Sequence, residues 1–328
     1  MAMKVLCLRD EREFIDVGVS FSSELEVAFL TSEEPADIME SLSNVDALVV
    51  RSHRPVLTND LIEAASRLRL IQFTGSGYDT VDIDLCREKG IKVARAPGAN
   101  ARSVAEYSLM SMLMLSRKVL VLDSALKGGK YQEARNKAYR EGNTELSDCE
   151  VGIVGMGPIG REVAKLCRTL DAAIYYHDIV PLAKDQEREL AVEYLPLQSL
   201  LARVDVLTLH CAINESTVDL IAWPELRTLK SSAVIVNSSR GGIVNEKDLA
   251  KALVQGEIAG AAVDAFVEEP LPIGHPFFGL PADVQEHLIL SPHMAGATLT
   301  ARRRMLQKAV TNVARLAQGL EPLYIVNS

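Results

Sequence analysis

Three glycines in the stretch VGIVGMGPIG, residues 151–160, have the spacing of a dinucleotide-binding turn. They are Gly155, Gly157 and Gly160, and they stand between an apolar run and a helical pattern. In that context the first glycine permits a tight turn, the second lets the backbone approach a pyrophosphate, and the third lets the helix pack on the strand. The helix N-terminus would face the anionic charge. The pattern predicts a dinucleotide site; the alternative is a strand-to-helix turn that only needs glycine.

An acidic residue follows at the distance that such a site needs. The next apolar run, AAIYYHD, ends in Asp178, near the spacing of about 20 residues at which a carboxylate binds the adenosine ribose. A carboxylate there also repels the 2′-phosphate of NADP, which favours NAD. A capping aspartate is the plainer interpretation of Asp178. A methyl donor such as S-adenosylmethionine could use a similar glycine turn, so the reacting end of the ligand must be inferred from other residues.

Three polar residues near the ends of later apolar runs could do acid–base chemistry. They are Arg240 in NSSRGGIVNE, Glu269 in DAFVEEPLP and His293 in LSPHMAGAT. Ligands of open α/β sheets lie outside the carboxyl ends of the strands, so we expect these side chains to converge. A charged histidine can protonate a developing oxyanion, a glutamate favours the imidazolium, and arginine binds a carboxylate with its planar fork. Taken singly, they also fit plain roles as a surface ion pair, a loop acid and a core histidine.

The elements that must position these residues are short apolar runs that alternate with helical patterns. Such continuous runs are typical of strands in a parallel sheet that is covered on both faces. The alternation predicts right-handed βαβ units and an α/β fold class. The runs are residues 4–8, 47–50, 68–73, 151–155, 172–178, 205–210, 233–238, 258–266 and 287–293.

Helix-capping residues flank several of the patterns between these runs. Thr58 is expected to cap one helix, and a second is expected to begin after an Asn245 cap and to end at Gly256. A long apolar pattern from Ala101 to about Lys127 predicts one helix that connects two domains. A second long pattern, residues 298–319, could return the end of the chain to the first domain.

Length and composition predict two domains and a small-molecule partner. The chain has 328 residues, 48% of them hydrophobic and 24% charged, and chains above about 250 to 300 residues usually split into domains. Thirty-five basic against 44 acidic residues give a formal charge of -9, and we find no basic stripe of the kind that binds nucleic acid.

Cysteine usage and the N-terminus predict a cytoplasmic protein. The five cysteines form no CxxC pair, which argues against a disulfide framework and a clustered metal site and predicts reduced thiols. The N-terminus lacks the regions of a signal peptide, and no apolar run is long enough for a membrane span.

Several ordered motifs resemble the D-isomer-specific 2-hydroxyacid dehydrogenase family over nearly the whole chain. The resemblance implies NAD as cofactor and hydride exchange between nicotinamide and a 2-oxo or 2-hydroxy acid. The matching segments are residues 73–82, 97–110, 151–164, 205–217, 229–253, 258–272 and 290–298.

The resemblance also implies an architecture. A Rossmann domain, a doubly wound parallel sheet formed by residues 99–291, would be inserted into a discontinuous flavodoxin-like substrate domain formed by residues 1–98 and 292–328. The long helix and the polar segment 127–147 resemble the region through which family members form a homodimer.

Site residues follow from the same resemblance. The catalytic trio would be Arg240, Glu269 and His293, with His293 as acid and base. The substrate would be bordered by Arg51, Ser52, Ser76, Gly77, Asn100, Arg240 and His293, although a β-turn, a solvated strand end and a helix cap remain alternatives for the first five. The cofactor would be lined by Gly155, Met156, Gly157, Pro158, Ile159, Gly160, Asp178, His210, Cys211, Thr217, Ser238, Ser239, Arg240, Asp264, His293 and Gly296, with Asp264 on the nicotinamide carboxamide.

The sequence departs from the family pattern at several points. Pro158 stands where many relatives have Arg or Lys on the pyrophosphate, and the loop at 279–290 is longer than usual. Glu269 argues against a formate dehydrogenase, which carries glutamine there, and we expect no C-terminal regulatory domain. The sequence does not identify the side chain of the substrate acid. The alternative function is an NAD(H)-sensing, corepressor-like binding protein whose turnover is incidental.

Overall fold

The computed structural model describes residues 2–52 and 54–328, and the chain divides into two compact units. The first unit comprises the residues up to Asn100 together with Ala297–Ser328, and the second is Ala101–Gly296. The second unit is therefore inserted in the chain between the two parts of the first.

The first unit is built on a parallel sheet of five strands, counted over the described residues, in the order β2-β1-β3-β4-β5. This order is that of flavodoxin-like sheets. The strands are β1 (Lys4–Cys7), β2 (Glu26–Phe29), β3 (Ala47–Val50), β4 (Leu70–Phe73) and β5 (Lys92–Ala94). The helices are α1 (Arg12–Ile15), α2 (Pro35–Leu42), α3 (Asn59–Ala64), α4 (Ile83–Glu88) and α14 (Leu299–Ala317).

Both faces of this sheet are covered. Leu48 and Ile71 point to a core that also contains Leu61 of α3. The alternate residues Val49 and Leu70 point to a second core, which α14 closes. This two-sided burial is the reason why the central strands read as continuous apolar runs.

The second unit is built on a parallel sheet of seven strands, again over the described residues, in the order β12-β11-β10-β9-β6-β7-β8. Counted from its first strand, this is the Rossmann order 3-2-1-4-5-6 with one further strand. The strands are β6 (Glu150–Val154), β7 (Ala173–His177), β8 (Val192–Tyr194), β9 (Val206–Leu209), β10 (Val234–Asn237), β11 (Gly260–Val263) and β12 (Leu288–Leu290).

Helices cover both faces of the second sheet. The core on one face contains Leu207 and Ile235, and the core on the other face contains Val206 and Val236. The predicted α/β fold class, a Rossmann domain with a flavodoxin-like domain, is confirmed. The helices are α5 (Ala101–Ser116), α6 (Val119–Lys127), α7 (Tyr131–Glu141), α8 (Pro158–Arg168), α9 (Lys184–Leu190), α10 (Leu197–Arg203), α11 (Trp223–Leu226), α12 (Glu246–Gln255) and α13 (Ala282–Gln285).

The single long helix expected from Ala101 to about Lys127 is wrong. Two helices, α5 and α6, occupy this range, and Lys118 between them adopts a left-handed conformation with φ of 51°. No glycine or proline marks the break, so the sequence carries no local signal for it.

Among the described residues, no helix is long and apolar enough to cross a membrane.

The boundaries of the units lie a few residues later than those expected from the sequence. Residues 97–100 belong to the first unit, where the carbonyl oxygens of Pro97 and Ala99 accept hydrogen bonds from Lys308 and Arg304 of α14, each at 2.8 Å. Residues 292–296 belong to the second unit because Asp264 accepts hydrogen bonds from their backbone, as described below.

The two expected helix caps differ in the structure. The side chain of Asn245 accepts a hydrogen bond from the backbone nitrogen of Asp248 at 3.1 Å, and Gly256 ends the helix with φ of 68°. Thr58 precedes α3 with an extended backbone, but its side chain makes no capping hydrogen bond. The residue types therefore predicted where both helices begin, but only Asn245 forms the expected capping hydrogen bond.

We expect Asn245→Ala to lower the free energy of unfolding by about 1 kcal/mol, because the substitution leaves a helix-end N–H without its acceptor. Thr58→Ala is the matched control and should change it by less than about 0.5 kcal/mol. Chemical denaturation of the two variants checks this. Equal losses at both positions would contradict the assignment of the cap.

Candidate active site

The glycine turn joins β6 to α8 and lies against the end of β9. Gly155 has φ of 96°, and a Cβ atom there would lie 2.6 Å from the backbone nitrogen of Cys211. A Cβ atom at Gly160 would lie 2.1 Å from the carbonyl oxygen of Gly155. Only glycine fits at these two positions, since backbone atoms already fill the space of a side chain.

The middle glycine faces open space. A Cβ atom at Gly157 would meet nothing within 4 Å, and α8 begins directly after it with Pro158 at its first position. The first backbone N–H groups of a helix have no acceptor within the helix, so they can bind an anionic ligand. The turn therefore fits a dinucleotide pyrophosphate. The side chain of Met156 is buried in the core, so only its backbone can line this site.

Asp178 directly follows β7 and contacts the glycine turn. Its Oδ2 accepts a hydrogen bond from the backbone nitrogen of Met156 at 2.6 Å, and its Oδ1 accepts one from Val180 at 3.3 Å. Each carboxylate oxygen has two acceptor sites. The capping role is thus real, and it leaves acceptor capacity for ribose hydroxyls.

His293 and Glu269 form a close pair. The Nδ1 atom of His293 lies 3.0 Å from both carboxylate oxygens of Glu269, and the two side chains are 26% and 28% exposed. A carboxylate can only accept a hydrogen bond, so Nδ1 carries the proton of this contact. Glu269 is itself oriented by the backbone nitrogen of Phe266, which donates to its Oε1 at 2.9 Å.

Glu246, which was not expected from the sequence, and His275, which was expected only to shape a loop, support the loop of Glu269. The Oε1 atom of Glu246 accepts a hydrogen bond from the backbone nitrogen of Val267 at 2.8 Å, and its Oε2 lies 2.9 Å from Nε2 of His275. His275 is buried among aromatic rings. Their spacing in the sequence carries no signal for this pairing, because it forms only when the loop after β11 folds against α12.

Arg240 follows β10 and is half-buried, with Nη1 donating to the carbonyl oxygen of Ser239 at 2.9 Å. The next residue, Gly241, is pressed against the loop of Glu269: a Cβ atom there would lie 1.9 Å from the carbonyl carbon of Phe266. The second unit thus brings the loops that carry Arg240 and Glu269 into direct contact.

Asp264 lies at the end of β11 and anchors the segment of His293. Oδ1 accepts hydrogen bonds from the hydroxyl of Ser291 and from the backbone nitrogen of Met294, and Oδ2 accepts one from Ala295, the two backbone contacts at 2.8 Å each. Burial raises the pKa of this carboxyl, while these hydrogen bonds oppose the shift. Oδ2 keeps one acceptor site, which fits the expected nicotinamide amide.

The hydroxyl groups expected to line the cofactor are used inside the protein. Ser238 Oγ lies 2.9 Å from Ser108 Oγ, Ser239 donates to Asn237 at 2.8 Å, and Thr217 donates to the carbonyl oxygen of Ala212 at 2.8 Å. The hydroxyl protons of Ser239 and Thr217 are therefore used within the protein, whereas a hydroxyl oxygen also has two acceptor sites. Cys211 is half-buried, and burial raises the pKa of its thiol to about 11.

In the first unit, the expected substrate residues follow β3, β4 and β5. Arg51 forms an ion pair with Glu13, which also pairs with Arg9. Burial alone would raise the pKa of Glu13, but the two guanidinium groups hold it below its usual range. Arg51 is thus held in place by a charge network.

The other expected substrate residues show two different environments. The Oγ atom of Ser52 and the Oδ1 atom of Asn100 are buried and have no hydrogen-bond partner among the described residues. Ser52 is packed against Gly75. Ser76 and Gly77 are half-buried, and the carbonyl oxygen of Ser76 accepts a hydrogen bond from Arg95 at 3.2 Å.

The described residues contain no group of His, Cys, Asp or Glu that could hold a metal ion.

Three features define a Rossmann-type NAD-dependent oxidoreductase. They are the glycine turn, Asp178 after β7, and the pair of His293 and Glu269 at the carboxyl ends of later strands. The family model described as "D-isomer specific 2-hydroxyacid dehydrogenase, NAD binding domain" matches residues 109–295. The chain belongs to the D-isomer specific 2-hydroxyacid dehydrogenase family. Its cofactor is NAD, and it oxidises or reduces 2-hydroxy and 2-oxo acids.

Individual relatives agree with this assignment. The chain is 34% identical over 320 residues to a glyoxylate reductase of Korarchaeum cryptofilum, covering 96% of this chain and 94% of the relative. It is 35% identical over 286 residues to a hydroxypyruvate reductase of Thermotoga maritima, covering 86% and 88%. The solved D-mandelate dehydrogenase of Rhodotorula graminis shares the fold, with a TM-score of 0.89 at 22% identity over 100% and 98% of the chains. These relatives favour an enzyme over the nucleotide-sensing alternative.

His210 makes the stability of the second unit depend on pH. Its ring is buried, with Nε2 2.8 Å from Thr208 Oγ1, and burial lowers its pKa to about 3. The unfolded chain binds a proton below about pH 6.5, whereas the folded chain does not, so stability is lost as the pH falls through this value.

We expect the melting temperature of the cofactor-free protein to fall between about pH 7.5 and about pH 5.5, with His210 contributing up to about 1.4 kcal/mol per pH unit below its unfolded pKa. His210→Gln should reduce this pH dependence, and His287→Gln is the control. Calorimetry at the two pH values checks the prediction. The same pH dependence in wild type and His210→Gln would show that the ring is not the titrating group.

Proposed function

We propose that Arg240, Glu269 and His293 carry the reaction, with His293 as the acid and base and a small 2-oxo acid as the substrate. The observation that supports this most directly is the contact of His293 Nδ1 with both oxygens of Glu269 at 3.0 Å. A carboxylate in that position stabilises the imidazolium and fixes the ring orientation. The nitrogen on the other side of the ring, Nε2, would then exchange the proton with the substrate.

NADH, when bound at the glycine turn, supplies the hydride that reduces the 2-oxo carbon. The residues of this chain do the remaining work. The imidazolium of His293 delivers a proton to the carbonyl oxygen as negative charge develops there. Arg240 binds the substrate carboxylate with its planar guanidinium and polarises the neighbouring 2-oxo group. In the oxidative direction neutral His293 accepts the proton.

For the substrate we propose glyoxylate or hydroxypyruvate, because the relatives named above carry those activities in their names. Besides Arg240, the backbone of Ser76 and Gly77 would receive the carboxylate, and Arg51 would border the side chain. Turnover of a panel of 2-oxo acids with NADH tests this. Preference for a branched or aromatic 2-oxo acid would refute the small-substrate proposal.

The role of the pair is tested by Glu269→Gln, which keeps a hydrogen-bond acceptor but removes the charge. Without the carboxylate charge, the alkaline limb of kcat/KM for reduction should move to lower pH, and the acidic limb for oxidation should move in the same direction. His293→Asn should lower activity in both directions by about a hundredfold or more.

The neighbouring exposed carboxylate gives the matched control. Glu268→Gln removes the same charge one residue away and should leave both limbs in place. A pH profile for Glu269→Gln that equals that of Glu268→Gln, with NADH binding intact, would exclude Glu269 as the group that tunes His293.

We expect a preference for NADH over NADPH, because the carboxylate of Asp178 would repel a 2′-phosphate. Asp178→Ser should narrow or invert the ratio of kcat/KM for the two cofactors. Because Asp178 also accepts the hydrogen bond from Met156, the melting temperature of the variant without cofactor should be measured alongside. A wild-type enzyme that prefers NADPH would contradict the assigned role.

We also propose that the protein is a cytoplasmic homodimer that pairs through α6 and α7. Every residue of α6 is at least partly exposed although the helix is apolar, and Tyr131 and Tyr139 are 62% and 76% exposed. Exposed apolar side chains of this kind are found at interaction sites. The expected mass in solution at micromolar concentration is that of two chains, and a monomeric mass would refute the proposal.

A further inference from the structure

A chain of hydrogen bonds runs from α5 to the segment that carries His293. The hydroxyl of Tyr107, which is half-buried, lies 2.6 Å from Oγ of Ser291. Ser291 in turn contacts Oδ1 of Asp264. Asp264 accepts the backbone N–H groups of Met294 and Ala295 at 2.8 Å each.

The direction of these hydrogen bonds follows from the valence of the groups. An ionised carboxylate only accepts, so the single hydroxyl proton of Ser291 goes to Asp264. Ser291 can then only accept from Tyr107, which makes the phenol the donor at the start of the chain. Burial raises the pKa of Tyr107, so the phenol keeps this proton across the neutral range.

The end of the chain fixes an unfavourable backbone conformation. His293 has φ of 56°, in the left-handed region that non-glycine residues rarely adopt. Its backbone nitrogen donates to the carbonyl oxygen of Asp264 at 2.8 Å, and the next two residues donate to the carboxylate of the same residue. Asp264 therefore holds His293 in this conformation from both sides.

We propose that Tyr107 is a positioning residue for the reaction, one that orients Ser291 towards Asp264 and thereby fixes the backbone at His293. The role in turnover rests on the proposed function of His293, whereas the effect on the backbone does not. The phenol lies on a different element from the trio and reaches the segment of His293 through Ser291 and Asp264.

The test begins with Tyr107→Phe, which removes only the hydroxyl, and Ser291→Ala, which breaks the chain at its middle. Each should lower kcat about three- to tenfold and change the KM for the 2-oxo acid less than twofold, because both act on the placement of His293. The double variant should be no worse than Ser291→Ala alone, since the two residues act through one chain. Tyr324→Phe is the control, because it alters an exposed tyrosine of the first unit and should leave both constants unchanged.

A second readout does not depend on turnover. Hydrogen exchange of the cofactor-free protein should rise in the peptide that covers residues 291–296 in Tyr107→Phe but not in Tyr324→Phe. Wild-type exchange and wild-type kcat in Tyr107→Phe would overturn the proposal. An increase spread evenly over the second unit, with a lower melting temperature, would also overturn it, because the phenol would then only stabilise the fold. If His293→Asn kept its activity while the local exchange result held, the proposed function would fail and the positioning of the backbone would stand.

Discussion

The site residues of the second unit depend on close contact between backbones that only glycine allows. At Gly155 a Cβ atom would lie 2.6 Å from the backbone of Cys211, and at Gly241 it would lie 1.9 Å from that of Phe266. The first contact places the glycine turn against the end of β9, and the second places the loop of Arg240 against that of Glu269. Parallel strands direct their carboxyl ends to one edge, and these glycines let the loops at that edge pack without side chains between them.

Electrostatics then decides the conformation of these loops. Asp264 is buried, so its charge must be compensated by hydrogen bonds, and the donors come from Ser291, Met294 and Ala295. Satisfying one buried carboxylate therefore orders the whole segment around His293. The pair of His293 and Glu269 is partly exposed, so its charge stays accessible to a substrate.

Side chains in the expected cofactor region serve the fold as much as the ligand. The hydroxyl groups of Ser238, Ser239 and Thr217 form hydrogen bonds within the protein. One oxygen of Asp178 accepts a hydrogen bond from the glycine turn. Most buried polar groups in proteins are hydrogen-bonded, and these bonds hold the site in shape. The backbone and the remaining acceptor sites of Asp178, Asp264 and the hydroxyl oxygens are left for recognition.

The sequence by itself determined the α/β class, the family, the cofactor and the residues of the glycine turn, because these depend on residue types at short, ordered spacings. It did not show the break at Lys118, nor the strands β2, β5 and β8, which have only three or four residues each and all lie at sheet edges. Such edge strands bury less surface and so lack a continuous apolar run.

Only the tertiary structure decided which distant residues support the site. Glu246 meets Val267, and Tyr107 meets Ser291 across 184 positions of the chain. No local pattern encodes these contacts, because they form only when the sheet has brought the ends of its strands together. The chemistry of the site was therefore readable from the sequence, whereas the hydrogen bonds that hold it in place required the folded chain.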